Sequence, residues 1–122
     1  MAEVTPTTPP LKAEVGADAF FALDLRVARI VAVEPFPAAR RPAYRLTIDL
    51  GPDLGMRRSS AQITNYAPEH LLDRQVVVAA NLGRKRIAGF VSEVLVLGGL
   101  EADGTVRLLD VDGELPPGAV VA

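Results

Sequence analysis

Tyr44-Arg45-Leu46-Thr47-Ile48-Asp49-Leu50 alternates strictly between apolar and polar side chains, which places Tyr44, Leu46, Ile48 and Leu50 on one side. A period of two is the signature of a strand with one buried face. Downstream, Gln75 to Leu82 reads almost continuously apolar, as a strand covered on both faces does. Between them lies Arg57-Arg58-Ser59-Ser60-Ala61-Gln62-Ile63-Thr64, with two cations, two hydroxyls and an amide where a third strand is expected. That polarity has two readings. One is a sheet face kept open for a ligand. The other is a solvated edge strand protected from aggregation by its charge.

The rest of the pattern is also strand-rich. In Leu25-Arg26-Val27-Ala28-Arg29-Ile30-Val31-Ala32-Val33-Glu34, period-two counting puts Val27, Val31 and Val33 on one face and Ala28, Ile30 and Ala32 on the other. A strand with two half-apolar faces suits one that bends and serves two sheets of a small barrel. Pro35-Phe36-Pro37 ends it. Strands are expected over 25–34, 43–50, 56–64, 75–82 and 92–98. A short helix is expected over 68–72, with Pro68 in its first turn. Asp103-Gly104 is a hairpin turn between Leu100 and Val106. Pro116-Pro117-Gly118 is a further turn, and 119–122 a last short strand.

Near the start, Asp18 can cap a short helix that carries Phe20, Phe21 and Leu23. Adjacent Phe residues on a helix cannot both face one core. Either one packs on the sheet while the other meets a partner, or both are buried beneath the N-terminal segment. Residues 1–17, with Pro6, Pro9 and Pro10, are expected to form a flexible tail, and 18–122 a single domain. Three strands, a short helix and two more strands give the order of an all-β, five-stranded Greek-key OB-fold barrel with short helices and a C-terminal β extension.

Charge sharpens this picture. The chain of 122 residues has a net charge of −2, but residues 1–25 balance to −3, residues 99–122 to −4 and residues 26–98 to +5. A basic middle between acidic ends is a local field, and it steers ligands more than net charge does. Eleven of the thirteen cations are Arg, which favours planar contacts to phosphate or carboxylate. Arg40, Arg41 and Arg45, then Arg57 and Arg58, then Arg84, Lys85 and Arg86 fall on segments that an OB barrel brings around its binding face. Aromatic residues are scarce at 5%. Sequence-tolerant binding of single strands normally uses aromatic stacking surfaces, whereas recognition of a structured RNA by backbone and shape needs fewer.

Other chemistries lack their residues. Without Cys there are no disulfides, thiolate nucleophiles or sulfur-ligated metals. His70 is the single histidine and has no adjacent Ser or Asp pattern to make a nucleophilic site. There is no phosphate-binding Gly-rich motif and no ligand spacing for a metal. No catalytic residue, cofactor or metal is therefore expected. No apolar run approaches the ~20 residues of a membrane span, no signal peptide is expected, and the absence of Cys is compatible with the cytoplasm.

Phe21-Ala22-Leu23-Asp24-Leu25-Arg26-Val27, Pro42-Ala43-Tyr44-Arg45-Leu46, Ser59-Ser60-Ala61-Gln62-Ile63-Thr64 and Ser92-Glu93-Val94-Leu95-Val96-Leu97-Gly98 together resemble the CsaA-type export chaperones. These belong to the wider group of tRNA-binding OB-fold domains, also found appended to methionyl- and phenylalanyl-tRNA synthetases. The resemblance runs from about Ala19 to Gly118. It implies a non-catalytic homodimer of the bacterial cytoplasm that binds tRNA or another structured RNA and acts as a chaperone on unfolded or precursor polypeptides. In the wider group the binding segment runs from an Asn through a basic loop to a Ser, which carries over to Asn81, Arg84, Lys85, Arg86 and Ser92. Asn81 and Ser92 then either donate to phosphate or sugar, or satisfy backbone groups at strand ends. Ala28 departs from a family tendency to Gly in the first strand. Val94-Leu95 replaces the Gly-Met pair of the appended domains, which favours the chaperone-type subgroup. Candidate RNA contacts are thus Asn81, Arg84, Lys85, Arg86, Ser92, Arg57, Arg58, Arg40 and Arg41. Candidate dimer contacts are Phe20, Phe21, Leu108 and Val111.

Overall fold

Val31 decides how the sheet is built. In the computed structural model, which describes residues 8–122, β1 (Leu25–Pro35) is antiparallel to β2 (Tyr44–Asp49). Ile30 pairs with Ile48 and Ala32 with Thr47, so Val31 is an extra residue on β1, a β-bulge. The alternation expected for β1 therefore fails beyond Ile30. Val31 is exposed, and Val33 joins Ala28 and Ile30 on the main core instead of sharing a face with Val31. Period-two counting cannot see an inserted residue, and one insertion moves every later side chain to the other face.

The bulge lets one strand serve two neighbours. The second half of β1 pairs with β2, while residues 25–29 pair with β4 (Gln75–Ala79). β2 also pairs with β3 (Met56–Ala61), and β4 with β7 (Leu95–Val96), giving the order β3-β2-β1-β4-β7. This sheet nearly closes into a barrel where residues 92–94 run beside β3. The Glu93 N–H donates to the Arg58 carbonyl at 2.7 Å, and the Ser59 hydroxyl donates to the Val94 carbonyl at 2.8 Å. Ser59 is fully buried at this seam. The hydroxyls of the polar third strand thus belong partly to the barrel's closure, which neither sequence reading of that strand included.

The apolar side of β2 reads as expected: Leu46, Ile48 and Leu50 are buried with Ile30, Ile63, Leu71 and Val78, and Tyr44 packs against them. α2 (Pro68–Leu71) joins the core through Leu71, its one buried residue. The expected strand over 92–98 is instead divided. Residues Phe90–Ser92 form β6, which pairs with β5 (Lys85–Ile87); Leu95–Val96 is β7; and β8 (Gly98–Leu100) pairs with β9 (Val106–Leu108) around the Asp103-Gly104 turn. Each part serves a different neighbour, so no single partner holds the stretch straight.

The C-terminal segment fills an edge. β2 ends opposite Arg29, leaving the flank of residues 25–28 without a strand. Residues 118–121 occupy it: Gly118 N–H donates to the Val27 carbonyl, Val27 N–H to Ala119 and Val121 N–H to Leu25. The expected strand over 119–122 is reduced to one bridge, Arg26 with Val120. Buried Gln75 anchors the approach to it, donating to Asp110 and to the Gly113 carbonyl and accepting from Leu115 N–H.

α1 (Ala17–Ala22) buries none of its residues, and Phe20 and Phe21 are 43% and 75% exposed. Among the described residues neither Phe is buried in the single chain, neither one against the sheet nor both beneath the N-terminal segment. The rings pack on each other edge to face. Residues 8–16 carry no helix or strand, and the first seven residues of the expected tail lie outside the described residues.

Candidate nucleic-acid interface

Two phenylalanines far apart in sequence bring the basic loops together. Phe36, at the end of β1, and Phe90, at the start of β6, meet edge to face with ring centroids 5.4 Å apart. With Ala43 they form a second buried cluster, against which Ala39 and Ile87 pack. The connection between β1 and β2 is thereby held against the β5–β6 hairpin. Arg40 and Arg41 belong to the first of these, Lys85 and Arg86 to the second, and Arg84 to the residue just before it. All five border one open concavity of about 1130 Å³. Its interior mixes Ser60, Gln62 and Ser92 with Ile63, Leu82 and Leu95. A basic rim around a largely aliphatic floor can accept phosphate groups at its edge and apolar surface at its centre.

On the other side of the hairpin lies a second depression of about 680 Å³, bordered by Phe36, Phe90, Arg45, Arg58, Arg84 and Glu93. Sheet register explains its composition. Glu34 pairs with Arg45, and Arg45 with Ser60, across three strands, while Arg58 stands one outward position further along β3. Glu34 lies 3.6 Å from Arg45 and 3.4 Å from Arg58. Arg45 sits over the Phe36 ring and Arg58 over the Phe90 ring, with the guanidinium carbons 5.6 and 4.5 Å from the ring centroids. Arg45 Nε is buried without a hydrogen-bond partner. That arrangement costs roughly 1–3 kcal/mol and is offset in part by the cation–π contact.

The remaining candidate residues sit differently. Arg57 is half-buried and donates to the adjacent Met56 carbonyl, and it borders neither depression. The Asn81 amide accepts from Asp24 N–H and donates to the Ala22 carbonyl, both at 2.8 Å, which ties down the end of α1. Ser92 is buried and accepts the Ser60 N–H at 3.1 Å. The side chains of Asn81 and Ser92 are thus engaged with backbone groups. His70 is exposed on α2, and no three His, Asp or Glu side chains gather as a metal site among the described residues. Glu34 and Glu93 carry no signal in the sequence, and Arg45 stands there only as one of the cations expected around the binding face. Alternation does point Arg45 outward, but its pairing with Glu34 needs the register that the bulge sets.

An OB-type barrel with its cations gathered on this face is a nucleic-acid-binding architecture. Residues 25–120 match the family described as "Putative tRNA binding domain", and the chain belongs to that family. Two solved structures described as CsaA chaperones are similar to it over their whole length. One, from Bacillus anthracis, is 49% identical over 90% of this chain, and the other, from Picrophilus torridus, 42% identical over 89%; each has a TM-score of 0.85. Among curated proteins, the methionine–tRNA ligase of Thermotoga maritima is 41% identical over 86% of this chain, which spans only 16% of that relative's length. No helix among the described residues is long and apolar enough to cross a membrane.

Proposed function

We propose that this chain is a non-catalytic, tRNA-binding OB-fold protein of the CsaA type, acting in the cytoplasm as a homodimer and as a chaperone for secretory precursor proteins. The observation that carries the RNA part is the convergence of Arg40, Arg41, Arg84, Lys85 and Arg86 on one concavity. The aliphatic floor of that concavity and the similarity to structures described as CsaA chaperones support the polypeptide part. A second reading, a dedicated structured-RNA module without a chaperone role, is favoured by the likeness to part of a methionine–tRNA ligase.

Salt separates the two. Phosphate contacts release counterions and weaken steeply with salt, whereas apolar burial does not. Replacing Arg84, Lys85 and Arg86 together by Ala is expected to weaken tRNA binding, with the slope of log affinity against log salt shallower by roughly 0.7–0.9 per lost phosphate contact. All three are exposed, so the melting temperature should barely move. Ser92→Ala is the control: it should lower stability by about 1–3 kcal/mol, with binding following the folded fraction. A triple variant that binds tRNA as tightly as the parent at low salt places the RNA site elsewhere. A parent that suppresses client aggregation but shows no salt-sensitive tRNA binding leaves the chaperone reading alone.

The dimer rests on apolar surface. Exposed Phe20 and Phe21 lead into β1, where Leu25 binds the C-terminal segment that exposes Leu109, Leu115 and Val120. Leu108 and Val111 are half-buried beside them, Leu108 against the main core. A two-fold interface lets one such patch cover its own copy. Light scattering at micromolar concentration should give twice the 12.9 kDa mass of one chain; the mass of a single chain would overturn the dimer.

A further inference from the structure

Phe36 and Phe90 look at first like the missing stacking surfaces, yet they are only 6% and 8% exposed. Neither can offer a ring face to a base. What lies open above Phe90 is a guanidinium, that of Arg58, whose side chain is 45% exposed. A guanidinium is flat, weakly hydrated and stacks on π-systems, and unpaired RNA bases stack on such planes as they do on aromatic rings.

Arg58 is held in place as a platform must be. Its backbone is fixed on both sides by Glu93, which takes the Arg58 N–H on its carboxylate at 3.2 Å and gives its own N–H to the Arg58 carbonyl at 2.7 Å. Its guanidinium is set between the Phe90 ring and the Glu34 carboxylate. That carboxylate also matters for charge. Glu34 already counters Arg58 and Arg45, and Glu93 lies 3.9 Å from Arg84. A phosphate drawn to Arg58 would lie against an anion, whereas a neutral base would not. The plane is available, and the three cations here, Arg45, Arg58 and Arg84, already face two anions, Glu34 and Glu93, which leaves one positive charge over. Arg40, Arg41, Lys85 and Arg86, in contrast, form no ion pair among the described residues.

We propose that Arg58, propped on Phe90, is a stacking platform for an unpaired nucleobase, and that the depression between β3 and the β5–β6 hairpin takes a single-stranded nucleotide of the bound RNA. The base lies on the outer face of the Arg58 guanidinium, and Arg84, 78% exposed and held only loosely by Glu93 at 3.9 Å, turns to the adjoining phosphate. At about 680 Å³ the depression is within the range of clefts that hold small ligands. This inference rests on the RNA-binding reading and assigns it a second subsite, which adjoins the basic rim and shares Arg84 with it.

Arg58→Lys keeps the charge and the approach to Glu34 but removes the plane. The probes are a hairpin RNA with a short unpaired 3′ end and the same hairpin made blunt. For the RNA with the unpaired end, Arg58→Lys should weaken binding about tenfold without changing the salt slope, while the blunt RNA is unaffected. Phe90→Leu removes the prop while keeping an apolar side chain; because Phe90 also packs on Phe36 and so holds the basic loops together, it should weaken both RNAs, the one with the unpaired end by more, with a melting curve confirming that the variant is folded. If Arg58→Lys binds both RNAs like the parent, or loses affinity equally for both, the platform is overturned. If the parent itself binds neither RNA, the RNA reading as a whole falls.

Discussion

Gly118→Ala should cost roughly 2–4 kcal/mol of stability, because strain and lost hydrogen bonds act together. Gly118 has φ +95, a conformation side chains rarely adopt, and an added Cβ would lie 2.5 Å from the Leu50 carbonyl oxygen. The contact is reciprocal: Gly51, at φ +92, would place a Cβ 2.5 Å from the Pro117 oxygen. Two turns therefore meet backbone to backbone, with no room for a side chain on either. The neighbour cannot give way easily. Leu50 is the last core residue of the β2 alternation, and Gly118 is fixed by its N–H to Val27 and by Arg26 donating to its carbonyl. Relief requires the C-terminal segment to lift from β1, exposing the bare edge of residues 25–28. Gly83→Ala is the comparison, since Gly83 has φ +85 but open space around it. It should lose only about 1 kcal/mol. Equal losses in chemical denaturation would show that the turns do not meet.

How much of this was legible beforehand depends on the kind of signal. Where a strand has one buried face and no irregularity, as from Tyr44 to Leu50, alternation alone located the core. In β1 the same logic failed at Val31, because an inserted residue leaves no mark on composition. The stretch from Ser92 to Gly98 reads as one strand because its residues are β-formers, but its three parts pair with three different neighbours. The basic rim was legible because OB topology places those two connections on one face. The second depression was not. Phe36 and Phe90 are remote in sequence, and the Glu34–Arg45–Arg58 grouping exists only in the register that follows the bulge. Arg57 and Arg58 are equivalent in sequence; only register separates an arginine level with Ile48 from one level with Thr47.

Leu46→Ala should be still more costly, at about 3–5 kcal/mol, the upper part of the range for such truncations. Leu46 is fully buried on β2, between Val33 on β1 and Ser59 on β3. The largest fully buried side chains are Ile30, Leu46, Ile48, Ile63 and Leu71, and most others in the core are Val or Ala. Collapse of the cavity would have to draw in strands that are hydrogen-bonded on both sides. For a domain of this size the melting temperature should fall by roughly 10–20 °C. Val31→Ala provides the contrast from the same sheet. As the exposed bulge residue it should stay within about 0.5 kcal/mol of the parent, whereas uninterrupted alternation would set it on a face shared with Val27 and Val33. Comparable losses for Leu46→Ala and Val31→Ala in thermal denaturation would mean that the bulge, and the register it sets for Glu34, Arg45 and Arg58, is misplaced. A large loss for Leu46→Ala alone fixes that register. Below its lowered melting temperature, the folded Leu46→Ala protein should still bind RNA with the parent's affinity and salt slope, since Arg45 and Ser60 stand on the opposite face of the strands that bury Leu46.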